Sequence, residues 1–197
     1  MSILVVAAMK EEAAEIVART DNEVLITGIG TVPAAIALTK RLARGPLPQR
    51  VVNVGTAGAL RDVKPGVYDI TAVVKHDHRA LEVPGLTDFV YPRTFEVPAV
   101  TGLRTARLAT GDTFVNSSTL RGELARDSDL VDMEGYSLAA VCSEFGVPLT
   151  LLKQVSDNAD ESSDISWPDS LAAAAAELWD ALVSQESVLK ETRGDMM

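Results

Sequence analysis

Leu149-Thr150-Leu151-Leu152-Lys153-Gln154-Val155-Ser156-Asp157-Asn158-Ala159-Asp160 joins a short apolar run to a polar one. The apolar half follows Gly146-Val147-Pro148. A short run bounded by Gly and Pro reads as a buried strand. In an open α/β sheet, the carboxyl end of a strand is where ligands bind. Asp157 is therefore a candidate for chemistry. The competing reading gives Ser156, Asp157 and Asn158 a local task, capping the next helix or closing an Asx-turn.

Around this stretch, strands and helices alternate. Ser2 to Ala8 is an apolar, β-branched strand, and Lys10-Glu11-Glu12 opens a helix through Ile16. Glu23 to Thr27 is a second strand, and Gly28-Ile29-Gly30 leads into an Ala-rich helix over Val32 to Leu42. A strand over Arg50 to Val54 ends in Gly55-Thr56-Ala57-Gly58, and another covers Val67 to Val74. Residues 75–103 are rich in Pro, Asp, His and aromatics, and read as a long loop or a pair of edge strands. Thr105 to Thr110 is a strand, Ser118 to Ala125 a short helix, Leu130 to Glu134 a strand edge, and Tyr136 to Glu144 a helix. Pro168 to Leu189 forms an amphipathic helix with Leu171, Ala175, Leu178, Leu182 and Val183 on one side. This order predicts one α/β domain over residues 1–190, a mixed and largely buried sheet flanked by helices, with 191–197 a frayed tail.

Composition narrows the function. The chain has 197 residues, 47% of them hydrophobic, enough for one sizeable core. Its net charge of -10 leaves no basic stripe for nucleic acid and disfavours anionic membrane surfaces. No apolar stretch reaches about 18 residues, so no transmembrane helix is expected, nor is there a signal-peptide pattern. A cytoplasmic location is the expectation. The single cysteine, Cys142, sits in an Ala-Ala-Val-Cys run and reads as a core thiol rather than a nucleophile.

Several chemistries lack support. Gly28-x-Gly30 has Pro at position 33 instead of the third glycine of a dinucleotide fingerprint, and no Walker lysine follows either glycine pair. His76-Asp77-His78 is the best metal-like cluster, but no second group of ligands accompanies it, so no metal is expected. A Gly-x-Ser-x-Gly elbow is absent. What remains are Glu12, Glu134 and Asp157, each just beyond an expected strand. Such a set suits cleavage of a glycosidic bond, which passes through a cation-like sugar and needs an acid, a base and a hold on the hydroxyls. Periodicity alone equally allows Glu12 as a helix-start charge and Glu134 as a buried structural partner.

Ala8-Met9-Lys10-Glu11-Glu12, Gly28-Ile29-Gly30, Gly55-Thr56-Ala57-Gly58, Gly111-Asp112-Thr113-Phe114-Val115-Asn116, Val131-Asp132-Met133-Glu134 and Val155-Ser156-Asp157 occur in this order. The series resembles the 5'-methylthioadenosine/S-adenosylhomocysteine nucleosidases of the nucleoside phosphorylase superfamily, from Ile3 to about Trp179. The resemblance implies a nucleoside phosphorylase-like fold and a purine nucleoside as small-molecule partner. Water would be the second substrate, with no metal or organic cofactor, and the assembly would be a homodimer.

The resemblance also implies roles. Glu12 would activate the attacking water. Asp157, oriented by Ser156, would protonate purine N7. Glu134 would accept the ribose hydroxyls above Met133, and Thr56 would line the water and ribose side. Phe114 would stack on the base while the Val115 backbone reads its edge. Trp167, in a variable loop, would stand near the 5'-substituent. No arginine that would mark a phosphate site stands beside Glu12, which favours hydrolysis over phosphorolysis. Two departures bear on the substrate. Lys153 replaces a usual arginine, losing its bidentate fork, and the regions 18–27 and 75–103 are short for the family. Phe89-Val90-Tyr91-Pro92 is the candidate for a replacement lid, or else only a packed loop. A phosphorylase or nucleosidase for another purine nucleoside, and a silent nucleoside-binding protein, are the rival readings.

Overall fold

The computed structural model describes residues 2–77 and 91–190. Strand β1 (Ile3–Ala7) runs parallel to β2 (Glu23–Ile26) on one side and to β3 (Arg50–Ala59) on the other. The far edge of β3 pairs in parallel with β8 (Leu149–Asp157). Its last residues, Gly58 and Ala59, pair antiparallel with β7 (Leu130–Asp132). From β7 the sheet continues in parallel to β6 (Arg104–Thr110) and β4 (Val67–Lys75), and β4 returns antiparallel to β8. The path therefore closes on itself beside an open wing made by β1 and β2. Strand β5 (Thr94–Glu96) lies antiparallel on β4.

Helices α1 (Ala14–Arg19), α2 (Thr31–Ala43), α3 (Ser118–Leu124), α4 (Gly135–Phe145), α5 (Ser163–Ser184) and α6 (Glu186–Lys190) cover this mixed sheet. Alternation along the strands divides the core. Leu4, Val6, Val51, Leu149 and Leu151 face α2 and α4, together with Leu38, Leu138 and Cys142. Ile3, Val5, Val52, Val54 and Leu152 face the other way, toward Ile16 of α1 and Leu178 and Leu182 of α5. Helix α4 ends at Phe145, one residue past the expected Glu144, with Gly146 left-handed at φ 64° as its C-cap. Burial pushes the Cys142 thiol up to about 12, the behaviour of a packing group and not of a nucleophile. Among the described residues no helix is long and apolar enough to cross a membrane.

The boundaries that moved did so for identifiable reasons. Residues 10–13 form turns and α1 starts only at Ala14, because Glu12 is drawn inward to the backbone of Thr56. Gly55 to Gly58 do not terminate β3 but lie within it, and Ser156 and Asp157 lie within β8. Ala57 pairs with Val155 and Gly58 with Asp157, so Ser156 is the extra residue of a bulge. Bulges re-aim side chains beside sites. Helix α5 starts at Ser163 rather than Pro168, so Pro168 lies inside it and forgoes the bond to the Asp164 carbonyl, and Trp167 stands on a helix instead of in a loop. Its buried side is made by Ala174, Ala175, Leu178, Ala181 and Leu182, whereas Val183 is exposed.

The 75–103 region contributes one strand, β5, among its described residues. Phe89 and Val90 of the lid candidate, His78 of the metal-like cluster and the 191–197 tail lie outside the described residues. Tyr91 and Pro92 bind α4, through Tyr91 Oη donating to Glu144 Oε1 at 3.1 Å and Tyr136 Oη donating to the Pro92 carbonyl at 2.6 Å.

A Cβ at Gly135, the first residue of α4, would lie 2.7 Å from Leu108 Cδ2 and 3.2 Å from both Asp132 Oδ2 and Leu151 Cδ2. Gly135→Ala is expected to destabilise the protein by about 1–3 kcal/mol through overpacking. Gly102→Ala, with open space at its Cβ, should leave the denaturation midpoint unchanged. Equal midpoints for the two variants in urea titrations would contradict this packing.

Candidate active site

The strand ends and the bulge surround one cavity of about 170 Å³. Glu12, Thr56, Phe114, Val115, Met133, Glu134, Ser156, Asp157 and Trp167 all line it, so every site residue expected from sequence meets in one place. Met9, Ile29, Gly58 and Asp132 complete much of the wall. Among the described residues, the lining includes no lysine or arginine.

Glu12 is buried, and its Oε1 accepts from the Thr56 N–H at 2.9 Å and the Thr56 hydroxyl at 2.6 Å. Its Oε2 has no hydrogen-bond partner among the described residues. A buried carboxylate oxygen left unsatisfied is costly, so such an atom beside a cavity is suited to receive a hydrogen bond from what enters.

Asp157 is half-buried and held from several directions. Ser156 Oγ donates to its Oδ2 at 2.7 Å, while Ser163 Oγ and the Ala159 N–H donate to Oδ1 at 2.7 and 2.8 Å. The local Asx contact weighed from sequence is thus real, since Asp157 does bind the N–H two residues on. The same carboxylate also faces the cavity. Ala159 adopts φ 51°, an uncommon conformation for a residue with a Cβ, and is fully buried against the site of Gly58. Gly58 is tightly enclosed as well, because a Cβ there would lie 3.0 Å from Ala159 Cβ and 3.1 Å from Asp157 Oδ1, so both would have to give way.

Glu134 occupies the N-cap position of α4 but does not cap it. Asp132 Oδ2 takes the Gly135 N–H at 2.9 Å, which frees the Glu134 carboxylate to reach across to the N-terminus of α2. There Gly30 N–H donates to Glu134 Oε1 at 2.8 Å. The adjacent Thr31 N–H donates to Asp112 Oδ1 at 2.7 Å, and the Thr31 hydroxyl binds the same carboxylate. Burial first, and then the neighbouring Asp132 charge, push Glu134 up to about 7, while Lys153 and the Gly30 amide pull the other way.

Lys153, noted from sequence as a substitute for arginine, does not enter the cavity lining. It is fully buried, with Nζ 2.8 Å from Asp132 Oδ2. Burial alone would lower its pKa, but the Asp132, Glu134 and Glu12 carboxylates outweigh this and hold it above the ordinary lysine range.

Phe114 is 39% exposed at the mouth, with its ring edge-on to Trp167 at a centroid distance of 6.2 Å. The Trp167 indole N–H donates to Thr56 Oγ1 at 3.0 Å. Asp77 is engaged by Lys75 at 3.2 Å and by the Asp112 N–H at 3.0 Å. Sequence reasoning missed Ser163, the Gly30 N–H and the way Asp132 pairs with Lys153. Only the last had a signal, an acidic residue two before Glu134 and a lysine four before Asp157.

A family model described as the phosphorylase superfamily matches residues 19–184, which places the chain in that superfamily. A Bacillus subtilis (strain 168) 5'-methylthioadenosine/S-adenosylhomocysteine nucleosidase is 33% identical, over 87% of this chain and 80% of its own. An Arabidopsis thaliana protein of the same name is 32% identical, over 82% of this chain and 67% of its own. The structure of a mutant of that nucleosidase from Helicobacter pylori, with 5'-methylthioadenosine in its active site, superposes with a TM-score of 0.79 at 26% identity, covering 94% and 98% of the two chains. A Helicobacter pylori futalosine hydrolase mutant superposes with a TM-score of 0.80 at 26% identity, covering 95% and 99%. The chain belongs to the family of 5'-methylthioadenosine/S-adenosylhomocysteine nucleosidases.

The raised Glu134 has a consequence for stability. Below 4.5, its ordinary value, both folded and unfolded chains hold the proton and its stabilising contribution is complete. That contribution is lost as pH rises toward and through about 7, because the unfolded chain releases the proton first. Glu134→Gln, which mimics the protonated acid, should melt at a higher temperature than the parent near about pH 8, and the gap should close near about pH 4.5. A gap of the same size at both pH values would refute this.

Proposed function

We propose that this protein hydrolyses the N-glycosidic bond of an adenine nucleoside of the 5'-methylthioadenosine or S-adenosylhomocysteine type, releasing adenine and a ribose derivative. The observation that carries this reading is the convergence of Glu12, Glu134 and Asp157 on one cavity, each carboxylate held by donors from the protein. Glu12 packs beside Gly55 and Asp157 beside Gly58 on the same strand. Three residues of strand span about 10 Å, room for a sugar between base and acid.

In this reading Asp157, oriented by Ser156, Ser163 and the Ala159 N–H, delivers a proton to purine N7. The C–N bond then breaks toward a cation-like ribosyl group and neutral adenine leaves. Glu12, bound to Thr56 through Oε1, takes the proton of a water through Oε2 as that water attacks the anomeric carbon. Glu134 accepts hydrogen bonds from the ribose hydroxyls, with Met133 beneath the sugar. Phe114 and the Val115 backbone hold the base, and Trp167 bounds the 5' side. Water rather than phosphate is favoured because, among the described residues, the lining offers no guanidinium or ammonium group and Lys153 is committed to Asp132.

The reading includes a homodimer in the cytoplasm. Ile29, just before α2, and Val32 and Ile36 on it leave an apolar stripe 47–62% exposed, starting at the cavity wall, which suits cover by a second copy. Light scattering should then give twice the 21.0 kDa chain mass.

The test is adenine release from 5'-methylthioadenosine in phosphate-free buffer, followed by chromatography. Asp157→Asn and Glu12→Gln should each lower kcat by about 10²–10⁴-fold while melting like the parent. Near-parental rates in either would sink the mechanism. Turnover that requires phosphate would indicate a phosphorylase, and binding without release a silent binding protein. The likeness to a futalosine hydrolase puts futalosine beside S-adenosylhomocysteine in the substrate panel.

A further inference from the structure

Ser163 and Trp167 stand four residues apart on α5, so they project from one face of its first turns. Their polar atoms reach the two carboxylates assigned to proton transfer. Ser163 Oγ donates directly to Asp157 Oδ1 at 2.7 Å. Trp167 reaches Glu12 through one intermediary: its indole N–H donates to Thr56 Oγ1 at 3.0 Å, and Thr56 Oγ1 donates to Glu12 Oε1 at 2.6 Å.

The direction of this relay follows from the donor inventory. An indole nitrogen can only donate, and a threonine hydroxyl carries a single proton. Once the indole N–H occupies a lone pair of Thr56 Oγ1, the hydroxyl proton is left for Glu12. Without that donor Glu12 still accepts from the hydroxyl, but a water or a sugar oxygen in the cavity can compete for it. The edge contact with Phe114 helps to fix the indole plane.

We propose that Trp167 is a positioning residue for the base. Its indole N–H sets the Thr56 hydroxyl so that it always donates to Glu12 Oε1, which leaves Oε2 as the oxygen that receives the attacking water. The proposal rests on Glu12 being the base. It gives Trp167 a task beyond bounding the 5' side, one that a phenylalanine ring at this position could not perform.

The test is a cycle of Trp167→Phe, Thr56→Val and the double variant, assayed for adenine release from 5'-methylthioadenosine. Trp167→Phe should lower kcat about fivefold, the worth of one neutral hydrogen bond, with a smaller change in KM. In the Thr56→Val background the same substitution should have no further effect on kcat, whereas Thr56→Ser should retain the response. Equal losses in both backgrounds, or a change confined to KM, would overturn the proposal and leave the nucleosidase reading intact.

A second measurement does not depend on turnover. The chain has two tryptophans, Trp167 and Trp179, so the Trp167 indole N–H resonance is identified by its loss in Trp167→Phe. Thr56→Val should shift that resonance and speed its exchange with solvent in the protein alone. An unmoved resonance overturns the relay even if Trp167→Phe proves unstable. A moved resonance in a protein that releases no adenine overturns the assignment of Glu12 as base, and the positioning proposal with it.

Discussion

Lys153 Nζ and Asp132 Oδ2 lie 2.8 Å apart with 2% and 1% of their side chains exposed. An ion pair taken this far from water survives only when its remaining bonding capacity is met. Asp132 meets it with the Thr110 hydroxyl at 2.6 Å and the Gly135 N–H at 2.9 Å. The pair therefore joins β8, β7, β6 and the start of α4 at a single point. It also dictates neighbours. Lys153 sits opposite Gly55 in the β3–β8 register, and a Cβ on Gly55 would lie 3.3 Å from Nζ. Gly135 likewise has to be small, because α4 begins hard against Asp132 and Leu108. The ammonium is the positive charge that Glu12, Asp132 and Glu134 share. Without it, acidic side chains would face one another in a region that excludes water, at a cost of about 3–5 kcal/mol for the charge left unpaired.

The glycines and the bulge follow from the same crowding. β3 passes between Glu12 on one stretch and Asp157 on the next, and at both points only hydrogen fits on its α-carbon without a neighbour giving way. The extra residue at Ser156 lets β8 turn Asp157 toward the cavity, and puts the Ser156 hydroxyl 2.7 Å from the carboxylate it orients. The positive φ of Ala159 is the local strain that accompanies this turn. Strain at that point, beside a carboxylate with donors from Ser156, Ser163 and Ala159, fits a pre-organised group better than a mobile one.

Much of this was legible in the sequence because each carboxylate sits near a strand, and strands announce themselves by short apolar runs. The alternation of elements, the end of α4 at Gly146 and the meeting of Glu12, Thr56, Glu134 and Asp157 all follow from local pattern and motif order. What stayed hidden depends on contacts between distant segments. No local pattern says that Gly55-Thr56-Ala57-Gly58 continues a strand, since glycine ordinarily weakens one. Pro168 reads as a helix start, yet the helix begins at Ser163 because Ser163 is needed both by Asp157 and by the Asp160 N–H. Glu134 looks like an N-cap, but the Gly30 N–H, more than a hundred residues away, claims its carboxylate.

The division of labour between sheet and helix gives the site its character. Thr56 belongs to β3, Asp157 to β8 and Asp132 to β7, so those groups are set by strand register, which cannot slip by one residue without turning every side chain over. Glu12 comes from a turn and has no register to hold it; its position depends on its bonds to Thr56. Helix α5 closes the arrangement from outside the sheet, through Ser163 to one carboxylate and through Trp167 and Thr56 to the other. One helical segment thus senses both ends of the cavity. A displacement of its first turns would loosen both carboxylates together rather than one alone, so their placement is tied to the seating of α5 on the sheet.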